Sequence, residues 1–131
     1  MKKTVISLVV ILIVAIFCAW GVFEIFDGKM EKRIEAAYMK IEDIDLTKVP
    51  NGVYRGRFGE FLVDVDLEVT VKEGRIAGIS IKEQKCGKGY EALESVDRIL
   101  RRQTPKVDGV SGATLSSKCI MIATYLALRE K

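Results

Sequence analysis

The sequence predicts an α+β chain: a small antiparallel sheet, a β-meander, packed with two helices and preceded by one N-terminal transmembrane helix. Three observations carry that expectation. Residues 4 to 23 contain no charged side chain, and a helix rising about 1.5 Å per residue over that stretch reaches the roughly 30 Å of a bilayer's hydrocarbon core. From 63 to 72, apolar Val63, Val65, Leu67, Val69 and Val71 alternate with Asp64, Asp66, Glu68, Thr70 and Lys72, the period of a strand with one face buried. Two helical patterns then follow. One sets Ala92, Leu93, Val96, Ile99 and Leu100 on a single face, and the other, from Leu115 onward, contains a run from Cys119 to Leu128 that is apolar apart from Thr124.

Taken in order, the first element is the span. Trp20 lies near one end of it, where an amphipathic ring suits the interface, and Lys2 and Lys3 ahead of it favour a cytoplasmic N-terminus. Lys29, Lys32 and Arg33 on the far side pull the other way, but the short basic tail makes an extracytoplasmic C-terminal domain the expectation. A secretory signal is the rival reading. It has a shorter apolar core and a small-x-small cleavage site, whereas here bulky Phe17 stands directly before Cys18. Residues 1–24 therefore read as a single-pass anchor in the cell membrane, in contact with the lipid bilayer. Ile34, Ala37, Tyr38 and Ile41 recur at helical spacing, so residues 25–50 read as a juxtamembrane helix and a linker from Glu42 to Pro50. The folded domain is expected over 51–131. It opens with a strand at Val53 to Phe58, and Gly59-Glu60 reads as a turn. Glu73-Gly74 turns the chain again and Ile76 to Ile81 returns beside the alternating strand. A glycine-containing loop covers Gln84 to Tyr90, and Thr104-Pro105 ends the amphipathic helix. The apolar run Cys119 to Leu128 is too short for a second span.

Composition removes several function classes. There is no histidine among the 131 residues, which excludes Ser-His triads, histidine bases and histidine-ligated metals. Residues 24 to 131 carry 19 basic and 18 acidic side chains, so no nucleic-acid partner is expected. Cys86 and Cys119 could pair, but their spacing gives no reason that they meet. Asp64, Asp66 and Glu68 resemble a carboxylate row; a solvated strand face explains them, and no metal site is expected.

Three other features bear on function. Gly87-Lys88-Gly89 before a helix suggests a phosphate loop, but Gly89 stands where a Walker motif needs Ser or Thr, and Tyr90-Glu91 follow without the third glycine of a dinucleotide fingerprint. A turn, or contact with a cofactor edge, remains. Arg98, Arg101 and Arg102 share one helix side and could attract an anion, or simply pair with Glu94 and Asp97 on a solvated face. Asp108-Gly109-Val110-Ser111-Gly112-Ala113-Thr114-Leu115-Ser116-Ser117 stands apart. Thr114 or Ser116 would cap the final helix on the plain reading. Alternatively, two glycines and an alanine leave the backbone open to a second macromolecule at Thr114. The helix N-terminus offers free N–H groups to a phosphate, and Asp108 is near enough in sequence to help hold a divalent ion.

Asp108 to Thr114 resembles the Asp-x-x-Ser/Thr-Gly-Ala-Thr flavinylation signature of the FMN-binding domain family, whose members include subunits of ion-translocating NADH:quinone oxidoreductase and Rnf-type complexes and small membrane-anchored proteins. The resemblance covers about residues 51 to 128. Gly52-Val53-Tyr54 is similar to the family's opening strand, and Val69 to Ile76 to its central hairpin. The resemblance implies that a separate Mg-dependent flavin transferase esterifies FMN to the Thr114 hydroxyl, with Mg needed only during transfer. It further implies cofactor-binding roles for Asp108, Ser111, Gly112, Ala113, Leu115 and Ser116, with Gly87, Gly89 and Tyr90 as lesser contacts. No residue of the chain would be catalytic, and membrane or soluble redox partners would exchange electrons with the flavin. Relatives often carry a histidine before the Gly pair, where this chain has Gln84-Lys85-Cys86. A non-covalent FMN-binding reductase and a flavin-free anchored interaction module are the alternatives.

Overall fold

The computed structural model describes residues 1–60, 62–87 and 91–129. The chain divides into two compact units, residues 1–32 and 33–131. A single helix, α1 (Lys2–Met39), supplies all but one residue of the first unit. No proline interrupts it, so the span and the juxtamembrane helix of the sequence reading are one continuous element. Val5, Ile11, Phe17, Trp20 and Phe23 stand exposed along it. Among the described residues α1 is the one helix long and apolar enough to cross a membrane. So large an apolar surface on one helix suits a lipid environment.

In the second unit, Asp45 caps a short 3-10 turn at Leu46–Lys48 by accepting from the Thr47 N–H at 3.1 Å. Three strands follow: β1 (Gly52–Glu60), β2 (Val63–Lys72) and β3 (Arg75–Lys85), antiparallel in the order β1-β2-β3. This is the expected meander. Helix α2 (Glu94–Arg102) and helix α3 (Thr114–Arg129) complete the α+β unit. Gly59 and Glu60 differ from expectation: they are not a turn but pair with Asp64 and Val63 as the end of β1. The Glu73-Gly74 turn is as expected. Both residues take positive φ, 51° and 70°, which a two-residue hairpin needs to match the strand twist.

The alternation in β2 sorts the sheet into two faces. Val65, Leu67, Val69 and Val71 are fully buried, on the side that α3 covers; α3 packs on β1 and β2. Gly56 sets how closely the helix approaches. A methyl group placed there would lie 2.0 Å from the Ala123 carbonyl oxygen and 2.8 Å from the Ala127 Cβ, so only glycine lets the backbones meet. From Ser116 to Leu128 nearly all of α3 is buried.

The opposite face is not simply solvated. Arg55 forks onto Asp66 at 2.9 and 2.6 Å, Arg57 onto Asp64 at 3.2 and 2.7 Å, and Lys82 pairs with Glu68 at 2.9 Å. Asp66 is buried beneath its partner. Each guanidinium, by hydrogen bonding, holds its carboxyl below the usual carboxylate range, against the opposing effect of burial. All three cysteines are free, and Cys119 lies so deep that burial pushes its thiol pKa up to about 12.

Candidate functional site

The site is built at the joint between α2 and α3. Helix α2 ends where Gln103 turns into the left-handed region, φ 57°, and its N–H returns to the Ile99 carbonyl at 2.7 Å. That geometry aims the Gln103 side chain at β3. Its Oε1 accepts from the Ile76 N–H at 2.7 Å, and its Nε2 donates to the Ile76 carbonyl at 3.0 Å. The amide thus substitutes for a further strand at that point, and α2 is fixed to the sheet. Buried Pro105 and Val107 then lead into the motif.

Residues 108 to 113 form an irregular loop held by a few bonds. Arg98, one turn before the end of α2, donates from Nη1 to the carbonyls of Asp108 at 2.9 Å and Gly109 at 2.8 Å. Val110 donates its N–H to the Ser117 Oγ at 2.9 Å, while that hydroxyl donates to the Ala113 carbonyl at 2.8 Å. The Ala113 N–H closes a turn onto the Val110 carbonyl at 3.0 Å. Gly112 holds φ 79° with open space where a Cβ would be, so glycine there serves the backbone conformation and leaves the loop's outer side bare.

Thr114 is the first residue of α3 and is exposed. The first helical bond, from the Ser117 N–H to the Ala113 carbonyl at 3.0 Å, begins beyond it. The N–H groups of Thr114, Leu115 and Ser116 therefore precede the helix's internal ladder. The sequence-predicted residues divide by exposure. Asp108, Ser111, Gly112 and Thr114 are exposed, Leu115 is half-buried, and Ala113 and Ser116 are buried. Ser116 faces the Cys86 thiol: burial raises the thiol's pKa, Glu91 adds to the rise, and the Ser116 hydrogen bond opposes it. This contact brings the end of the loop after β3, with exposed Gly87, close to the motif. Gly89 and Tyr90 lie outside the described residues.

Beside the loop, Arg98, Arg101, Arg102, Val107 and Asp108 line a cleft of about 340 Å³. Arg98 pairs with Glu94 at 2.7 Å, whereas Arg102 stands 3.9 Å from Asp108. The expected pairing of Arg98 with Glu94 is present, and Arg101 and Arg102 are exposed as a solvated face requires, but Arg98 is half-buried and holds the loop as well. Ser117, the last residue of the segment that stood apart in the sequence, locks the loop from inside α3, a role that its position alone does not assign. On the other flank, Lys106 and Lys118 sit 4.8 and 5.1 Å from the Tyr38 ring centre, and Lys118 pairs with Glu35. The arrangement presents an exposed threonine at the head of an otherwise buried helix, beside a backbone without bulky cover.

A family model described as FMN-binding domain matches residues 63–129, just over half of the chain. No curated protein and no solved structure matches it.

Proposed function

The chain belongs to the FMN-binding domain family, and from that premise we propose that it carries FMN covalently on Thr114 and serves as a membrane-anchored, extracytoplasmic electron-transfer module. The placement of Thr114 carries this reading: an exposed hydroxyl opens a helix whose following turns are buried, next to a loop that glycine leaves bare. In the proposed reaction a separate flavin transferase, using Mg, joins the Thr114 Oγ to the phosphorus of the FMN half of FAD. The phosphoanhydride bond breaks, AMP leaves and the hydroxyl proton is lost. Thr114 is the attachment point and no residue of this chain is catalytic. Asp108, Ser111, Gly112 and Ala113 form the loop that the transferase recognises. Leu115 and Ser116 offer backbone N–H groups to the phosphate, since the Ser116 side chain is turned inward. Gly87, Gly89 and Tyr90 are proposed contacts to the flavin. The isoalloxazine supplies the redox chemistry, and the protein governs its exposure to partners.

Attachment also suits the proposed location, because a dissociated cofactor outside the cytoplasm would be lost to dilution. The test is direct. The protein is produced with a flavin transferase, run on a denaturing gel and viewed under ultraviolet light. Fluorescence that survives denaturation and is absent from Thr114→Val is the expected result. A dark band from a preparation that is yellow before denaturation would overturn the covalent bond and leave non-covalent binding.

A further inference from the structure

We propose that Arg98 is a positioning residue for the modification of Thr114, a role that rests on the covalent reading above. Its guanidinium is used on two sides. The edge formed by Nε and Nη2 is held by Glu94 Oε1 at 3.2 and 2.7 Å. The remaining nitrogen, Nη1, grips the Asp108 and Gly109 carbonyls. Glu94 therefore aims a rigid planar fork, and the fork fixes the first two residues of the motif.

The loop needs such a hold. Gly109 and Gly112 give it more backbone freedom than any other residue type would. Its second half is tied from within, through Ser117 and the Val110–Ala113 turn. Among the described residues, Arg98 is the one side chain that bonds the backbone of residues 108 and 109. Its distance in sequence, ten residues before Asp108, makes it a brace between α2 and the motif. A transferase that reads Asp108 and Thr114 together needs both ends of the loop in one geometry. Releasing the first end lowers the fraction of molecules that are ready to bind, which raises the apparent KM for this chain while leaving kcat in place.

The experiment uses the full chain in detergent micelles with a flavin transferase, FAD and Mg, and follows the initial rate of gel fluorescence. Wild type, Thr114→Val, Arg98→Gln, Arg98→Lys and Glu94→Gln are compared. Hydrogen exchange of the amides from Gly109 to Ala113 is measured in the unlabelled proteins. Arg98→Gln is expected to raise KM about 10-fold or more with kcat unchanged, as when only about a tenth of the molecules hold the loop ready to bind. Loop exchange accelerates and the unfolding midpoint stays within the range of a surface substitution. Arg98→Lys recovers part of the loss, because an ammonium reaches the carbonyls but cannot be aimed by Glu94. Glu94→Gln shows the same change in smaller measure, and decides the matter should Arg98→Gln fail to fold. Equal labelling and equal loop protection in wild type, Arg98→Gln and Glu94→Gln would overturn the proposal. A dark wild-type band overturns the covalent reading itself, an outcome distinct from a labelled wild type whose Arg98 variants are labelled just as fast.

Discussion

Gly56 and Gly112 show two different reasons for the same residue. At Gly112 the backbone is left-handed and nothing lies near the missing side chain, so the demand is conformational. At Gly56 the backbone is ordinary strand and the demand is space, because the Ala123 carbonyl occupies the position a methyl would take. An added methyl there forces α3 off the sheet or bends β1. Gly56→Ala is expected to destabilise the domain by about 1–3 kcal/mol, toward the upper end because backbone, not a flexible side chain, must yield. Thermal unfolding followed by circular dichroism checks this; an unchanged midpoint would show that α3 shifts freely. Thr114, at the head of that same helix, would move with it. A packing defect at Gly56 thus reaches the proposed attachment point through one rigid element.

Among the elements, β2 was legible and its neighbours less so. The alternation from Val63 to Val71 carries into the fold, one face meeting α3 and the other bearing the ion pairs to Arg55, Arg57 and Lys82, with Asp66 the one polar residue of the strand that is buried. β3 runs to Lys85, beyond the apolar stretch that announced it, since backbone pairing with Asp64 and Val65 continues although the β3 residues there are polar. Register shifts opposite Asp66/Leu67 and Thr70/Val71 also break the period that sequence reading relies on. The motif was legible as a segment. The Arg98 clamp was not, because its acceptors are backbone carbonyls, and only the angle between α2 and the loop brings them together. The charged face of the sheet has a pH consequence. Arg55 and Arg57 hold Asp66 and Asp64 below the ordinary carboxylate range, so the folded state binds these two protons less readily than the unfolded chain. The stability they contribute is present above the unfolded value of about 3.9 and is lost as pH falls through the lower folded values. Unfolding midpoints measured from pH 6 down to pH 2 should fall less steeply in Asp66→Asn than in wild type. Parallel curves would remove Asp66 from the acid response.

For the whole molecule, α1 is the candidate membrane anchor. An uncharged run of 20 residues within it stands exposed, and the chain is expected to stay with the membrane pellet after an alkaline wash that strips peripheral proteins. The proposed orientation adds a second readout. Protease applied to intact cells, with any outer barrier opened, should degrade residues 33–131, while a cytoplasmic marker stays whole. Protection of the domain until the cells are lysed would reverse the assigned orientation and leave the anchor unaffected. The end of α1 from Arg33 onward belongs with the folded domain, through Ile34 in its core and through Glu35 and Tyr38 at Lys118 and Lys106. Any soluble fragment cut after residue 39 loses those contacts.

The position of Thr114 also bears on traffic. It begins the most deeply seated helix in the domain, so a cofactor esterified there is moored to a fixed post on a short leash. Such a group does not shuttle between distant stations as one on a swinging arm does. On the proposed function, donor and acceptor would each visit the same berth, and the exchange rate would be set by how often they take turns at it.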